Sequence, residues 1–263
     1  MASEISLTGK SMRRFLCICV LSLCSGAAFA QDLSIAAAAD LQFAFKDVAA
    51  RFEKQTGHHV QVTFGSSGNF FAQIQNGAPF DLFFSADSDY PKKLEAAGLT
   101  EPGSFYSYAV GKIALWASKG AAFDVSRGLR ILLDPSIKKI AIANPEHAPY
   151  GRAAVAALKH ENLYDQVSSK FVIGENISQT ATFVASGNAD VGIIALSLAL
   201  SPTMQNDGKY EEVPPADYPP LEQAAVILKS SKQKETGHEF IAFLKSPATT
   251  EIMRQYGFAV PKP

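Results

Sequence analysis

The feature that most restricts the fold of this chain is a series of short, largely apolar runs, each as long as one strand and most followed by a helical pattern. "LSIAAAA" (33–39), "VQVTF" (60–64), "DLFFSA" (81–86), "KKIAIAN" (138–144), "KFVIG" (170–174), "ADVGIIAL" (189–196) and "QAAVILK" (223–229) are the clearest. Runs of this kind suit strands buried on both faces, and intervening helices let successive strands run parallel. The expected class is therefore α/β. After the first run, Leu41, Phe45, Val48 and Phe52 fall at helical spacing, with Asp40 as the expected N-cap and Gly57 as the stop. Ser246, Pro247 and Gly257 punctuate the last helix in the same way. "YAVGKIALWA" (108–117) reads as one long strand. "VPPADYPP" (213–220) reads as a surface excursion before the chain returns to the first of two α/β domains.

The first thirty residues carry a different signal. Lys10, Arg13 and Arg14 precede the apolar "FLCICVLSLCSGA", which is short for a membrane span, and "AFA" (28–30) is a small-x-small cleavage pattern. Residues 1–30 are expected to be a signal peptide, with export to the periplasm. All three cysteines, Cys17, Cys19 and Cys24, fall inside that segment, so the mature chain must rest on its core rather than on disulfides. With 47% hydrophobic residues and a formal net charge of -1, the composition is that of a soluble globular protein. The balance of charge offers nothing for nucleic acid.

Ligands of parallel α/β domains bind beyond the carboxyl ends of the strands, where helices begin. Four turns occupy such positions: Ala38–Asp40, "SSGN" (66–69), "APYG" (148–151) and "ENIS" (175–178). A helix start offers free N–H groups and the positive end of the dipole, and Ser66, Ser67 and Tyr150 add hydroxyls. Capping alone also explains serine, aspartate and asparagine at these places. What favours an anion site is the recurrence of such turns in both halves, none with a basic residue inside it. Arg152 follows the third turn by one residue.

Three longer stretches, "GAPFDLFFSAD" (77–87), "NPEHAPYGRAA" (144–154) and "MRQYGFAVPK" (253–262), resemble the periplasmic molybdate-binding proteins of ABC importers. The resemblance runs from about Leu33 to Pro261. It implies a two-lobed type II periplasmic binding protein fold: each lobe a mixed, mainly parallel sheet flanked by helices, with the ligand cleft between lobes. The implied lobes are 31–108 with 224–263, and 109–223, joined by hinge segments near 106–112 and 221–226. It also implies a ligand, molybdate or tungstate, no cofactor, a membrane permease as partner and a monomeric protein. Residue by residue, Ser67 matches a serine that donates to the oxyanion, and Tyr150 and Ile177 match backbone N–H donors. Ala39 and Asp40 stand where the family has serine, or threonine with asparagine. Ala195 replaces a tyrosine found in some members. Asp40 is expected to cap its own helix through Gln42 or Phe43. The alternative is that it accepts a proton from a ligand that carries one, such as hydrogen phosphate or arsenate.

Other classes fit less well. "GSSGN" is not the nucleophile turn G-x-S-x-G, and a covalent cysteine is missing from the mature chain. Amino-acid binding calls for an arginine facing the carboxylate. The five histidines show no metal-ligand spacing with acidic companions, and all are expected at the surface, including His147 in a suspected site loop.

Overall fold

The computed structural model describes residues 32–260; the expected signal peptide, 1–30, lies outside them. Two five-stranded sheets form the frame. The first has the order β2-β1-β3-β10-β4, from Leu33–Ala38 (β1), Val60–Gly65 (β2), Leu82–Ser85 (β3), Tyr106–Gly111 (β4) and Leu221–Ile227 (β10). The second has the order β7-β6-β8-β5-β9, from Ile113–Ser118 (β5), Ile140–Ala143 (β6), Phe171–Gly174 (β7), Val191–Ala195 (β8) and Gly208–Glu212 (β9). Both sheets follow one plan. β1 pairs in parallel with β2 and β3, and β6 pairs in parallel with β7 and β8. A single reversed strand, β10 or β5, then joins the last strand of each sheet.

The helices that matter for the site follow the parallel strands. α1 (Gln42–Thr56) follows β1 and ends at Gly57, whose φ of 78° is the left-handed conformation that glycine adopts without a steric cost. α2 (Ser67–Gln75) follows β2, α3 (Asp89–Ala96) follows β3, α4 (Pro149–His160) follows β6, and α5 (Ile177–Ala185) follows β7. α6 (Lys234–Leu244) and α7 (Pro247–Gln255) finish the chain, and Ser246 caps α7 by accepting from the N–H of Thr249. Leu41, Phe45, Val48 and Phe52 are all fully buried, as their helical spacing predicts. Phe45 sits edge-on to Phe84 at 4.9 Å between ring centroids, and Phe240 packs against Phe52 at 5.1 Å. Edge-to-face contacts of this kind add to the burial term.

One local expectation is corrected and a second is refined. "YAVGKIALWA" is not one strand. It breaks at Lys112, so that β4 belongs to the first sheet and β5 to the second. Both halves are equally apolar because both are buried, which hides the break. The "VPPADYPP" stretch is not a bare excursion either. Val213 and Tyr218 are buried in the second core, and the Tyr218 hydroxyl accepts from the N–H of Ile113 at 3.3 Å. The chain thus passes between the sheets at Lys112 and again between Glu212 and Leu221, and the two passages are neighbours, since Leu221 pairs with Gly111.

Phe45→Ala is expected to lower stability by about 3–5 kcal/mol, the usual cost of emptying a fully buried aromatic site. Urea unfolding followed by circular dichroism checks this; a loss below about 1 kcal/mol would show that the first core does not depend on this ring.

Candidate functional site

Four helix starts converge on one small cavity. Its lining is Ala38, Ala39 and Asp40 after β1, Gly65, Ser66 and Ser67 after β2, Ala86 after β3, Ala148, Pro149 and Tyr150 after β6, and Asn176 and Ile177 after β7. The five residues singled out in the sequence, Ala39, Asp40, Ser67, Tyr150 and Ile177, are thus brought together around a single space. They come from both sheets, so the cavity lies in the cleft between two lobes.

Each turn has its own local reason. Pro149 opens α4, where its missing N–H costs nothing, so the first N–H of that helix belongs to Tyr150. Asn176 caps α5 by accepting from the N–H groups of both Ser178 and Gln179 at 3.0 Å, and this fixes Ile177 at the first helical position beside the cavity. Such first-turn N–H groups have no partner within their own helix. Ser67 Oγ accepts from the N–H of Ala86 at 2.9 Å, which ties β2 to β3 and leaves the hydroxyl hydrogen available to a ligand. The cavity-facing groups are therefore neutral donors.

The cleft is shut by bonds from lobe to lobe. Ser66 Oγ and the N–H of Gly68 both donate to the carbonyl of His147, at 2.7 and 2.9 Å. Ser178 Oγ donates to Gln42 Oε1 at 2.6 Å, and Asn69 bonds to Glu175. Arg152 reaches across to Asp87 and lies over the ring of Tyr90, 5.6 Å from its centroid. Arg152 thus serves the rim of the cleft, not its interior. Burial raises the Asp87 carboxyl above its ordinary range, opposed by the N–H of Tyr90 and by the Arg152 charge.

Ser66 occupies the N-cap position of α2 by backbone, yet its side chain caps nothing. Its hydroxyl finds a stronger use across the cleft. His147 is likewise no surface histidine: its side chain is 22% exposed and its Nδ1 lies 3.1 Å from Ser66 Oγ.

Asp40 departs furthest from its expected role. It makes no capping bond and lies inside a single 3-10 turn, Ala39–Leu41, that leads into α1. Its carboxyl turns to the rear of the cavity, where Oδ2 accepts from the Tyr150 hydroxyl at 2.9 Å and from Gln223 Nε2 at 2.7 Å. Gln223 Nε2 also donates to the Tyr150 oxygen at 3.0 Å, and Ser197 Oγ donates to the Asp40 carbonyl at 2.8 Å. Asp40 is 1% exposed, and burial pushes its carboxyl up to about 6, against the lowering effect of the bonds from Gln223, Tyr150 and its own backbone N–H. Burial, and then the neighbouring Asp40 charge, hold the Tyr150 hydroxyl well above its ordinary range. Gln223 and Ser197 were not singled out in the sequence. The available signal was Gln223 itself, a polar residue at the head of the apolar run "QAAVILK", which is fully buried and therefore needs a partner. Ala195, where some family members have a tyrosine, is fully buried at the end of β8.

One grouping was also missed. His160, Glu161 and Asp217 bring ligand-type atoms within 4.8 Å of one another. Their partners are already supplied: His160 pairs with Asp217 at 3.3 Å, and Arg130 pairs with Glu161 at 3.2 Å.

Two lobes of one plan, joined by two adjacent passages and shut on a small cavity of helix-start donors, define a type II solute-binding protein. The sequence pattern of bacterial extracellular solute-binding proteins matches residues 33–259. A molybdate-binding protein of Azotobacter vinelandii is 40% identical over 95% of this chain and 98% of its own length. The corresponding protein of Rhodobacter capsulatus is 39% identical over 88% of this chain and 89% of its own. The solved structure of the Azotobacter vinelandii periplasmic molybdate-binding protein superposes with a TM-score of 0.83 at 35% identity, covering 88% of this chain and all of that one. The chain belongs to the bacterial extracellular solute-binding protein family.

A side chain at Gly68 would lie 2.6 Å from the Tyr90 hydroxyl and 2.7 Å from both Cβ and the carbonyl oxygen of His147. Because His147 is on the opposite lobe, Gly68→Ala is expected to hold the lobes apart while leaving each one folded. Small-angle scattering checks this against a far-UV spectrum: the variant should have the larger radius of gyration and an unchanged spectrum. Equal radii would show that this approach does not control closure.

Proposed function

We propose that this protein captures molybdate or tungstate in the cleft between its lobes and presents it to the permease of an ABC importer. The observation that carries the reading is the cavity, where neutral donors from four helix starts meet without a lysine or arginine among its lining residues. The names of the Azotobacter and Rhodobacter relatives and the fold they share support the choice of anion. In this reading the N–H groups of Tyr150 and Ile177, the Ser67 hydroxyl and the Ala39–Asp40 turn meet the oxygens of the anion, never its central atom. Bonds from fixed N–H and O–H groups to an anion are charge-assisted and need no counter-ion. Fixed donors also select for full deprotonation, because a ligand O–H facing another donor leaves a bond unmade.

Closure belongs to the same reading. The lobes, implied by the resemblance as 31–108 with 224–263 and 109–223, divide by sheet at Lys112 and at Glu212–Leu221, and they swing about these paired passages, because an anion touched by both lobes stabilises only the shut form. Export to the periplasm by a cleaved signal peptide, action as a monomer, and binding without an organic cofactor or catalysis complete the proposal. The cavity is lined mainly by alanine, serine and backbone, and the one lining hydroxyl beside a base, Ser66 Oγ at 3.1 Å from His147 Nδ1, donates to the His147 carbonyl instead.

Titration calorimetry of the mature protein tests this. Molybdate and tungstate should each bind one to one. Saturable heat with sulfate or phosphate and none with molybdate would overturn the reading. Ser67→Ala removes one charge-assisted donor and should weaken molybdate binding by about 1.5–3 kcal/mol. An unchanged affinity would take Ser67 out of the site.

A further inference from the structure

Asp40 poses a problem that the proposed function does not solve. It lines the cavity and is buried, yet a carboxylate beside a bound dianion is repulsive. The elements facing it bring no cation: α4 contributes Tyr150, β4 Tyr108, β10 Gln223, the helical turn after β8 Ser197, α5 Ile177, and the turn after β2 Ser66 and Ser67. The arginine nearest the rim, Arg152, is engaged with Asp87. The two side-chain donors that reach Asp40 both fall on Oδ2, whereas Oδ1 is buried with no partner. Gln223 Oε1, in the same cluster, is also a buried acceptor without a donor. Two orphaned acceptors in one small network are costly, and a charged one more so. One hydrogen on Asp40 Oδ1 removes the charge, and with it the larger part of that cost.

Resting on the proposed binding of a deprotonated oxyanion, we propose that Asp40 is a proton-coupled specificity residue: closing of the lobes on the anion draws one proton from solvent onto Asp40 Oδ1. The neutral carboxyl then stays bonded to Tyr150 and Gln223 and locks the lobes from behind the cavity. The ligand brings all of its own charge and no proton, and the protein supplies the neutralising one.

The direction of the pH dependence follows. With the cleft open, Asp40 meets water and titrates in the ordinary carboxylate range near ~4. With the cleft shut it titrates at about 6, because burial disfavours the charge, and a neighbouring dianion raises it further. A group raised by closure favours the closed form fully below its open-state pKa and loses that effect as pH rises through its closed-state pKa. Molybdate affinity should therefore fall by close to tenfold per pH unit as pH rises toward 6, and level off at a higher pH set by the bound anion.

The test is molybdate calorimetry on the mature wild type from pH 5.5 to 8, in buffers of different ionisation heat. The expected result is a heat that depends on the buffer, reporting uptake close to one proton at pH 5.5 and declining at alkaline pH. Asp40→Asn, which keeps the shape and one acceptor oxygen, should show no uptake and a flat affinity across this range. Molybdate binding with a buffer-independent heat in the wild type would overturn the proposal while leaving the binding function intact. Equal proton uptake in wild type and Asp40→Asn would do the same. Tighter binding of phosphate than of molybdate would show that the ligand, not solvent, brings the proton. Absence of any molybdate heat would remove the binding function and this proposal together.

Discussion

Everything at the centre of this molecule depends on burying charge without a counter-ion. Asp40 is the visible case: a carboxyl taken out of water where three separate stretches of chain meet, held by a tyrosine of one lobe and a glutamine at the passage between lobes. Gln223 sits on β10, beside the strand that leads into the second sheet, so the bond to Asp40 lies close to where the chain passes between the lobes. The bonds at the front of the cleft, from Ser66, Gly68 and Ser178, close the same interface from the other side. Between these two sets lies the cavity. Its shape follows from helices that all begin at the carboxyl ends of parallel strands, which points their free N–H groups inward.

Small residues make this closeness possible. Ala38, Ala39 and Ala86 of the first lobe join the hydrophobic cluster of the second, alongside Tyr150 and Ile177. Gly111, at the end of β4, leaves room for the Tyr150 hydroxyl, which would lie 2.3 Å from any side chain added there. Gly151 in the third turn is closer still to the chain before it, 2.1 Å from the carbonyl oxygen of Ala143. Gly151 tolerates no Cβ because backbone stands in the way, whereas at Gly111 the obstacles are the buried ends of the Tyr150 and Gln223 side chains. The approach of Tyr150 to Gly111 crosses from lobe to lobe and belongs to the shut cleft, whereas that of Gly151 to Ala143 is the tight strand-to-helix turn of the second lobe.

Much of the frame was legible because burial leaves a period in the chain. Leu41, Phe45, Val48 and Phe52 mark a helix face, and "LSIAAAA" and "DLFFSA" mark central strands, since each position sees the same apolar surroundings. The four turns followed from a topological rule about strand ends, and the family resemblance marked Ala39, Asp40, Ser67, Tyr150 and Ile177 within them. What was not legible came from partners far apart in the chain. Asp40 resembles a cap because capping is local, but Tyr150 is 110 residues away and Gln223 is 183 away. Ser66 failed as a cap for the same reason, its acceptor being the carbonyl of His147 in the other lobe. The break at Lys112 left no mark because the chain is buried on both sides of it. Tertiary context overrode local preference wherever a polar side chain found a partner across the cleft.

The central claim is that neutral donors of both lobes enclose one oxyanion. It is tested most directly by diffraction from crystals grown with molybdate, using anomalous scattering at the molybdenum edge. The expected result is a single strong peak inside the cavity, with the anion's oxygens within hydrogen-bonding distance of Ser67 Oγ and of the N–H groups of Tyr150 and Ile177. A peak on the outer surface, or an anion held by Arg152 at the rim, would contradict it.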